Sequence, residues 1–66
     1  MTDQLTEREI EVAQLLADGK TQREVARRLR LTERTLNEYA TRLRDKFEAK
    51  TTVNAVATAL RRGLID

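Results

Sequence analysis

The sequence contains no cysteine, histidine or serine, and these absences exclude several kinds of functional site. Without cysteine there are no disulfides, and without cysteine and histidine the usual zinc sites cannot form. A Ser/His/Asp or Cys/His catalytic set is impossible for the same reason. We therefore expect no metal, no cofactor and no enzymatic activity.

Long apolar stretches are also absent. No run approaches the roughly 18 apolar residues of a membrane span. The first nine residues are acidic and have no apolar centre, so they do not form a secretory signal. Together with the lack of cysteine, this predicts a cytoplasmic protein that does not contact membranes.

The 66 residues are enough for one small domain, predicted over residues 1–66. Two glycines, no proline and few strand-type runs favour an all-α fold. Helical periodicity and the two glycines divide the chain into helices, and Thr32 and Thr51 are expected to cap two of them. Two capping boxes are predicted, in which Glu9 pairs with Thr6 and Glu24 pairs with Thr21. After the last helix, Leu64 and Ile65 are expected to fold back as an apolar contact. The four predicted helices cover about residues 7–18, 22–29, 33–47 and 52–62.

The net charge of +2 is unevenly distributed. Between Lys20 and Lys50 there are ten basic and five acidic side chains, whereas the rest of the chain has three basic and six acidic ones. The basic part coincides with the second and third predicted helices. This suggests an anionic partner such as nucleic acid, although a solvated arginine-rich helical surface has the same composition.

The third predicted helix has one apolar side and one polar side. Its apolar residues recur at helical spacing and are expected to face inward: Leu36, Tyr39, Ala40, Leu43 and Phe47. The opposite side has no aliphatic residue and comprises Arg34, Asn37, Glu38, Thr41, Arg42 and Asp45. A short helix, a turn and a longer helix with a polar outer face together fit a DNA major groove.

The fourth predicted helix has more apolar surface than one core contact requires. One stripe comprises Ala55, Val56 and Ala59, and a second comprises Val53, Ala57 and Leu60. A chain this short cannot easily cover both stripes. We therefore expect the second stripe, with Arg61 beside it, to form a homodimer contact, although an exposed helix that tolerates Ala and Val is the alternative.

The order of these motifs resembles the LuxR/GerE-type helix-turn-helix domain of bacterial transcriptional regulators. The resemblance covers residues 5–65 without a gap. The motifs that carry it are Leu5-Thr6-x-Arg8-Glu9, Leu15-Leu16-Ala17-x-Gly19, Glu24-Val25-Ala26-x-x-Leu29, Leu31-Thr32-Glu33-x-Thr35-Leu36 and Ala55-Val56-Ala57-x-Ala59-Leu60-Arg61-Arg62-Gly63-Leu64-Ile65.

This resemblance implies that the chain binds double-stranded DNA. The third helix would lie in the major groove, and the fourth helix would be available for dimerisation. The implied base contacts are Asn37, Glu38 and Thr41. The implied backbone contacts are Thr21, Gln22, Arg23, Arg34, Thr35 and Lys46, to which the basic side chains of Arg27 and Arg42 are added as phosphate contacts.

The chain departs from the family pattern at four positions. Asn37 replaces a basic residue, Tyr39 replaces histidine, Glu38 replaces an uncharged residue, and Glu48 replaces glycine. Asn37 can pair with adenine, and Glu38 can accept from the cytosine amino group, although its charge repels phosphate.

The leading hypothesis is a sequence-specific transcriptional regulator that binds DNA as a dimer. One alternative is a protein-interaction module of the same fold with weak or lost DNA binding, because Glu38 and Asp45 disfavour DNA. Such a module would contact RNA polymerase or another regulator through the fourth helix. Another is a promoter-recognition module like region 4 of a sigma factor, which shares the Leu5-Thr6-x-Arg8-Glu9 opening. The fourth helix and the ending Arg61-Arg62-Gly63-Leu64-Ile65 favour the LuxR type.

Overall fold

The computed structural model describes residues 5–66, and over that range the predicted all-α fold is confirmed. It comprises α1 (Glu7–Ala17), α2 (Gln22–Leu29), α3 (Glu33–Phe47) and α4 (Thr52–Arg61). Two boundaries differ by one residue from the prediction, because Asp18 and Arg62 are the cap residues of α1 and α4. The predicted domain 1–66 includes residues 1–4, which lie outside the described range.

Each helix begins after a threonine whose side chain accepts from the third amide of the helix: Thr6, Thr21, Thr32 and Thr51. In α1 and α2 the third residue is glutamate, and its carboxylate accepts from the threonine amide at 2.9 and 2.8 Å. These two capping boxes confirm the sequence prediction. At α3 the third residue is Thr35, so the box is not completed.

The helices end in left-handed residues wherever the chain turns sharply. Gly19 has a φ of +94° after α1, where a side chain would be strained. Arg30 and Glu48 adopt φ values of 59° and 52° without being glycine. Backbone hydrogen bonds of 2.8 Å from Leu31 to Ala26 and from Ala49 to Arg44 close these two turns. The orientation of α3 is thereby fixed at both of its ends.

The core lies where α1 and α3 meet, since each of these helices packs against the other three. The largest side chains that are completely enclosed are Val12, Val25, Leu36 and Leu43. Ile65 is 5% exposed and folds back as predicted, and the Asp66 amide donates to Gln14 Oε1 at 2.9 Å. Because its apolar side fills the core, α3 presents its polar side outward.

The helices in the described part of the chain are short. The longest, α3, has 15 residues, and among residues 5–66 no helix has the length and apolar character needed to cross a bilayer.

Candidate nucleic-acid interface

The outer face of α3 is polar, as predicted. Arg34, Asn37, Glu38 and Arg42 are exposed, whereas Thr41 is half-buried. A helix of 15 residues is about 22 Å long and has the width that a major groove admits. The exposed side chains of this face can therefore offer hydrogen bonds and charges to base edges and phosphates.

The N-terminal part of α2 lies beside the first turn of α3. Arg23 Nε is 3.7 Å from Glu33 Oε2, and both side chains are more than 70% exposed. An ion pair this exposed contributes little to stability, so Arg23 can exchange Glu33 for another anion. Arg27 is exposed one turn further along the same side of α2, and Thr21 is exposed at its start. These groups extend the polar surface beyond α3.

Arg42 rests on the ring of Tyr39 at the edge of the core. The guanidinium carbon is 5.2 Å from the ring centroid, which is a cation–π geometry. Tyr39 itself is half-buried and packs against the core. The ring therefore holds the Arg42 charge at the margin of the outer face of α3.

Thr41 has an internal hydrogen-bond network that the sequence did not predict. Its hydroxyl donates to the Asn37 carbonyl at 3.0 Å and accepts from Arg44 Nη2 at 2.9 Å. Arg44 Nη1 donates to the Thr52 hydroxyl at 2.7 Å, which joins α3 to the first residue of α4. The spacing of three residues between Thr41 and Arg44 was visible in the sequence, but the bond to Thr52 was not.

Lys46, predicted to contact the DNA backbone, has a partner within the fold. Its ammonium donates to Glu9 Oε1 at 2.7 Å, and the two side chains are 30% and 4% exposed. Burial raises the pKa of Glu9, but hydrogen bonds from Lys46 and from the Thr6 amide outweigh it, so the net pKa is lowered. Lys46 therefore connects α3 to α1 whatever else it contacts.

Helix α4 presents its second apolar stripe to solvent. Ala55, Val56 and Ala59 are buried as predicted, whereas Val53 is 76% and Leu60 is 43% exposed. A groove of about 450 Å³ runs along this stripe. Its apolar lining consists of Leu16, Ala17, Val53, Val56, Ala57 and Leu60. This surface is separate from the outer face of α3.

Neither surface has the character of a metal site, since no group of three or more His, Cys, Asp or Glu side chains within residues 5–66 is arranged to hold an ion.

Residues 3–59 match the family described as bacterial regulatory proteins, luxR family. The chain is 39% identical over 62 residues to the uncharacterized response regulatory protein YgeK of Escherichia coli K12, covering 94% of this chain and 42% of that protein. It is 36% identical over 59 residues to the transcriptional regulatory protein DesR of Bacillus subtilis strain 168, covering 89% of this chain and 30% of that protein. The chain thus spans less than half the length of either relative.

The fold is similar to that of the solved structure of the transcription factor GerE, with a TM-score of 0.89. That match covers 100% of this chain and 97% of the other at 24% identity, so it concerns the fold alone. The family match and the two sequence relatives carry the assignment: the chain belongs to the luxR family of bacterial regulatory proteins.

Proposed function

We propose that this domain is a cytoplasmic, sequence-specific transcriptional regulator that lays α3 in the major groove of double-stranded DNA. One observation carries the proposal. Within residues 5–66, the exposed large apolar side chains are Val53 and Leu60, and both belong to α4. The outer face of α3 has only polar and charged groups, in a segment with an excess of basic residues. Membership of a family of bacterial regulatory proteins supports the same function.

The proposed contacts fall into two groups. Asn37, Glu38 and Thr41 face the base edges from the middle of α3, where the sequence is read. The remaining residues bind the phosphate backbone and fix the register: Thr21, Gln22, Arg23, Arg27, Arg34, Thr35, Arg42 and, in addition to its bond with Glu9, Lys46.

The proposal includes a homodimer formed through α4. Val53, Ala57, Leu60 and Arg61 would meet their counterparts across a two-fold axis. The exposed Val53 and Leu60 support this contact, because burying them against a second copy removes apolar surface from water. Two copies of α3 would then read two half-sites of a palindrome.

A protein-interaction module is the second candidate, and Glu38 is the observation that favours it. Its exposed carboxylate lies on the outer face of α3, where it repels phosphate. In that case the α4 groove would bind RNA polymerase or another regulator instead of a second copy.

Selection from a pool of random duplexes at physiological salt distinguishes the two functions. Enrichment of a short palindrome is the expected result. Recovery without a shared motif would indicate electrostatic binding only, and no recovery would contradict DNA binding. A matched pair of variants locates the contact. Arg34→Glu should abolish recovery of DNA. Arg8→Glu makes the same change of charge at an exposed position of α1 and should not.

A further inference from the structure

The Thr41 hydroxyl is held on both sides by groups of the protein. It donates to the backbone carbonyl of Asn37 at 3.0 Å, one turn earlier in α3. It also accepts from Arg44 Nη2 at 2.9 Å, and the other terminal nitrogen of Arg44 donates to Thr52 at 2.7 Å. Rotation of the Thr41 side chain would break both of its hydrogen bonds at once.

These contacts limit how Thr41 can read a base. A hydroxyl has one donor hydrogen, and here that hydrogen is directed to Asn37. Thr41 therefore cannot donate to N7 or O6 of guanine, N7 of adenine or O4 of thymine without losing its bond to the helix. Two parts of the side chain remain uncommitted: the γ-methyl group, which can make only apolar contacts, and one lone pair of the hydroxyl, which can accept only from the amino group of adenine or cytosine.

We propose that Thr41 reads DNA through its γ-methyl group, packed against the C5-methyl of a thymine, and that Arg44 is the positioning residue that holds this methyl in place. The inference rests on the proposed function, because it requires α3 to lie in the major groove. Thymine is the base that presents a methyl group there. Arg44 does not touch the base; it fixes the Thr41 side chain and ties it to the start of α4.

The test uses the site recovered from the random pool, with each thymine replaced singly by deoxyuridine, which lacks only the C5-methyl. For the wild-type chain, each half-site should contain one thymine whose single replacement weakens binding about fourfold, as expected for the loss of one buried methyl group. Thr41→Val loses the hydroxyl but has methyl groups at both γ positions and one strongly preferred rotamer in a helix, so its methyl does not depend on Arg44 and it should keep this sensitivity. Thr41→Ser keeps the hydroxyl and loses the methyl, so it should bind both duplexes equally.

Arg44→Met tests the positioning role. This variant keeps much of the length of the side chain but cannot donate to Thr41, so the ratio of thymine to deoxyuridine affinity should fall toward one. Arg28→Met is the matched control, because Arg28 is an exposed arginine of α2 outside the proposed contacts. Its ratio should equal that of the wild type. The two affinities in this ratio are measured with the same protein, so a change in stability alone does not alter the ratio.

Each contrary result has a distinct meaning. If a motif is recovered but no thymine replacement weakens wild-type binding, methyl reading is overturned while the proposed function stands. If Thr41→Ser keeps the sensitivity and Thr41→Val loses it, the hydroxyl reads the base. If Arg44→Met keeps the wild-type ratio, Arg44 has no positioning role. Failure to recover any motif overturns the proposed function itself.

Discussion

Lys46 donates to Glu9 across the junction of α3 and α1, with Nζ 2.7 Å from Oε1. The same oxygen accepts from the Thr6 amide at 2.9 Å, so one carboxylate caps α1 and also fastens α3 to it. Glu9 is only 3% exposed, yet no buried side-chain nitrogen or oxygen within residues 5–66 lacks a hydrogen-bond partner. A charged group in the core is thus made part of the scaffold that positions α3.

Replacing Glu9 by glutamine should lower the free energy of unfolding by about 1–3 kcal/mol, because it removes the charge that Lys46 neutralises. Glutamine can still accept from the Thr6 amide and complete the capping box, so the loss reports the charge of the ion pair with Lys46. The measurement is urea denaturation followed by circular dichroism. Glu11→Gln is the matched control on α1, where the ion pair with Arg8 is exposed, and should cost less than about 0.5 kcal/mol. Equal losses in the two variants would contradict the role assigned to Glu9.

The lowered pKa of Glu9 makes the stability of the fold depend on pH. The hydrogen bond from Lys46 and that from Thr6 together overcome the effect of burial, so the pKa of Glu9 in the folded state lies below its usual value of 4.5. The unfolded chain therefore takes up the proton first as pH falls, and Glu9 stabilises the fold above pH 4.5. This contribution is lost as the pH drops through the lower folded pKa.

Urea denaturation at a series of pH values from about 6 to about 3 checks this sign. The free energy of unfolding should decrease toward acid in the wild type and decrease less steeply in Glu9→Gln. Glu24 also has a lowered pKa, from its backbone hydrogen bond with Thr21, so the slope should not vanish. A slope unchanged by Glu9→Gln would show that Glu9 is not the group that titrates.

Glu48→Gly should stabilise the domain. Glu48 is an exposed residue with a φ of 52°, a conformation that costs a residue with a Cβ about 1–2 kcal/mol. Glycine adopts it freely but loses more entropy on folding, so the expected gain is about 0.5–1 kcal/mol. Glu48→Ala removes the same carboxylate and keeps the Cβ, which separates charge from backbone strain. Thermal unfolding should rank glycine above alanine, and the reverse order would refute the argument.

The helices were predictable because their signals are local. A threonine followed three residues later by glutamate defines the start of α1 and α2, and the apolar stripe of α3 stops at Phe47, where the helix ends. The two boundaries that differ, at Asp18 and Arg62, lie at cap residues. Those positions depend on single backbone angles, for which the sequence has no periodic signal.

The interface was less predictable because its details depend on contacts between helices. The sequence indicates which residues of α3 face outward, but not that the Thr41 hydroxyl is directed back to Asn37 and Arg44. Glu9 was identified as a capping residue, whereas its bond to Lys46, 37 positions away, follows only from the packing of α1 on α3. Hydroxyl and carboxylate side chains can be either solvated or paired. The sequence alone therefore does not show that Thr41 and Glu9 have partners within the fold.

The proposed division between phosphate and base contacts predicts different effects for neighbouring residues of α3. Arg34→Ala should weaken binding to every duplex and reduce the slope of log affinity against log salt by about 0.9. Asn37→Ala should leave that slope unchanged and alter which sequence is selected. Fluorescence anisotropy over a range of salt concentrations, with the selected site and an unrelated duplex, measures both. Identical behaviour of the two variants would contradict the division.

Leu60→Asp should separate dimerisation from folding. Leu60 is 43% exposed on α4, so an aspartate there can remain hydrated in the monomer. In the proposed dimer, the same carboxylate would be buried against the second copy without a partner, which is unfavourable. Sedimentation equilibrium should show a monomer, and affinity for a duplex with two half-sites should fall roughly a hundredfold, toward that for one half-site.

Asn54→Asp is the matched control, since it places an aspartate on exposed α4 outside the Val53, Ala57 and Leu60 stripe. Its mass and its affinity for both duplexes should equal those of the wild type. Both variants should keep the thermal midpoint, because neither position belongs to the core cluster. If Leu60→Asp binds two half-sites as tightly as the wild type does, α4 does not form the dimer. The exposed stripe would then be available to a different protein.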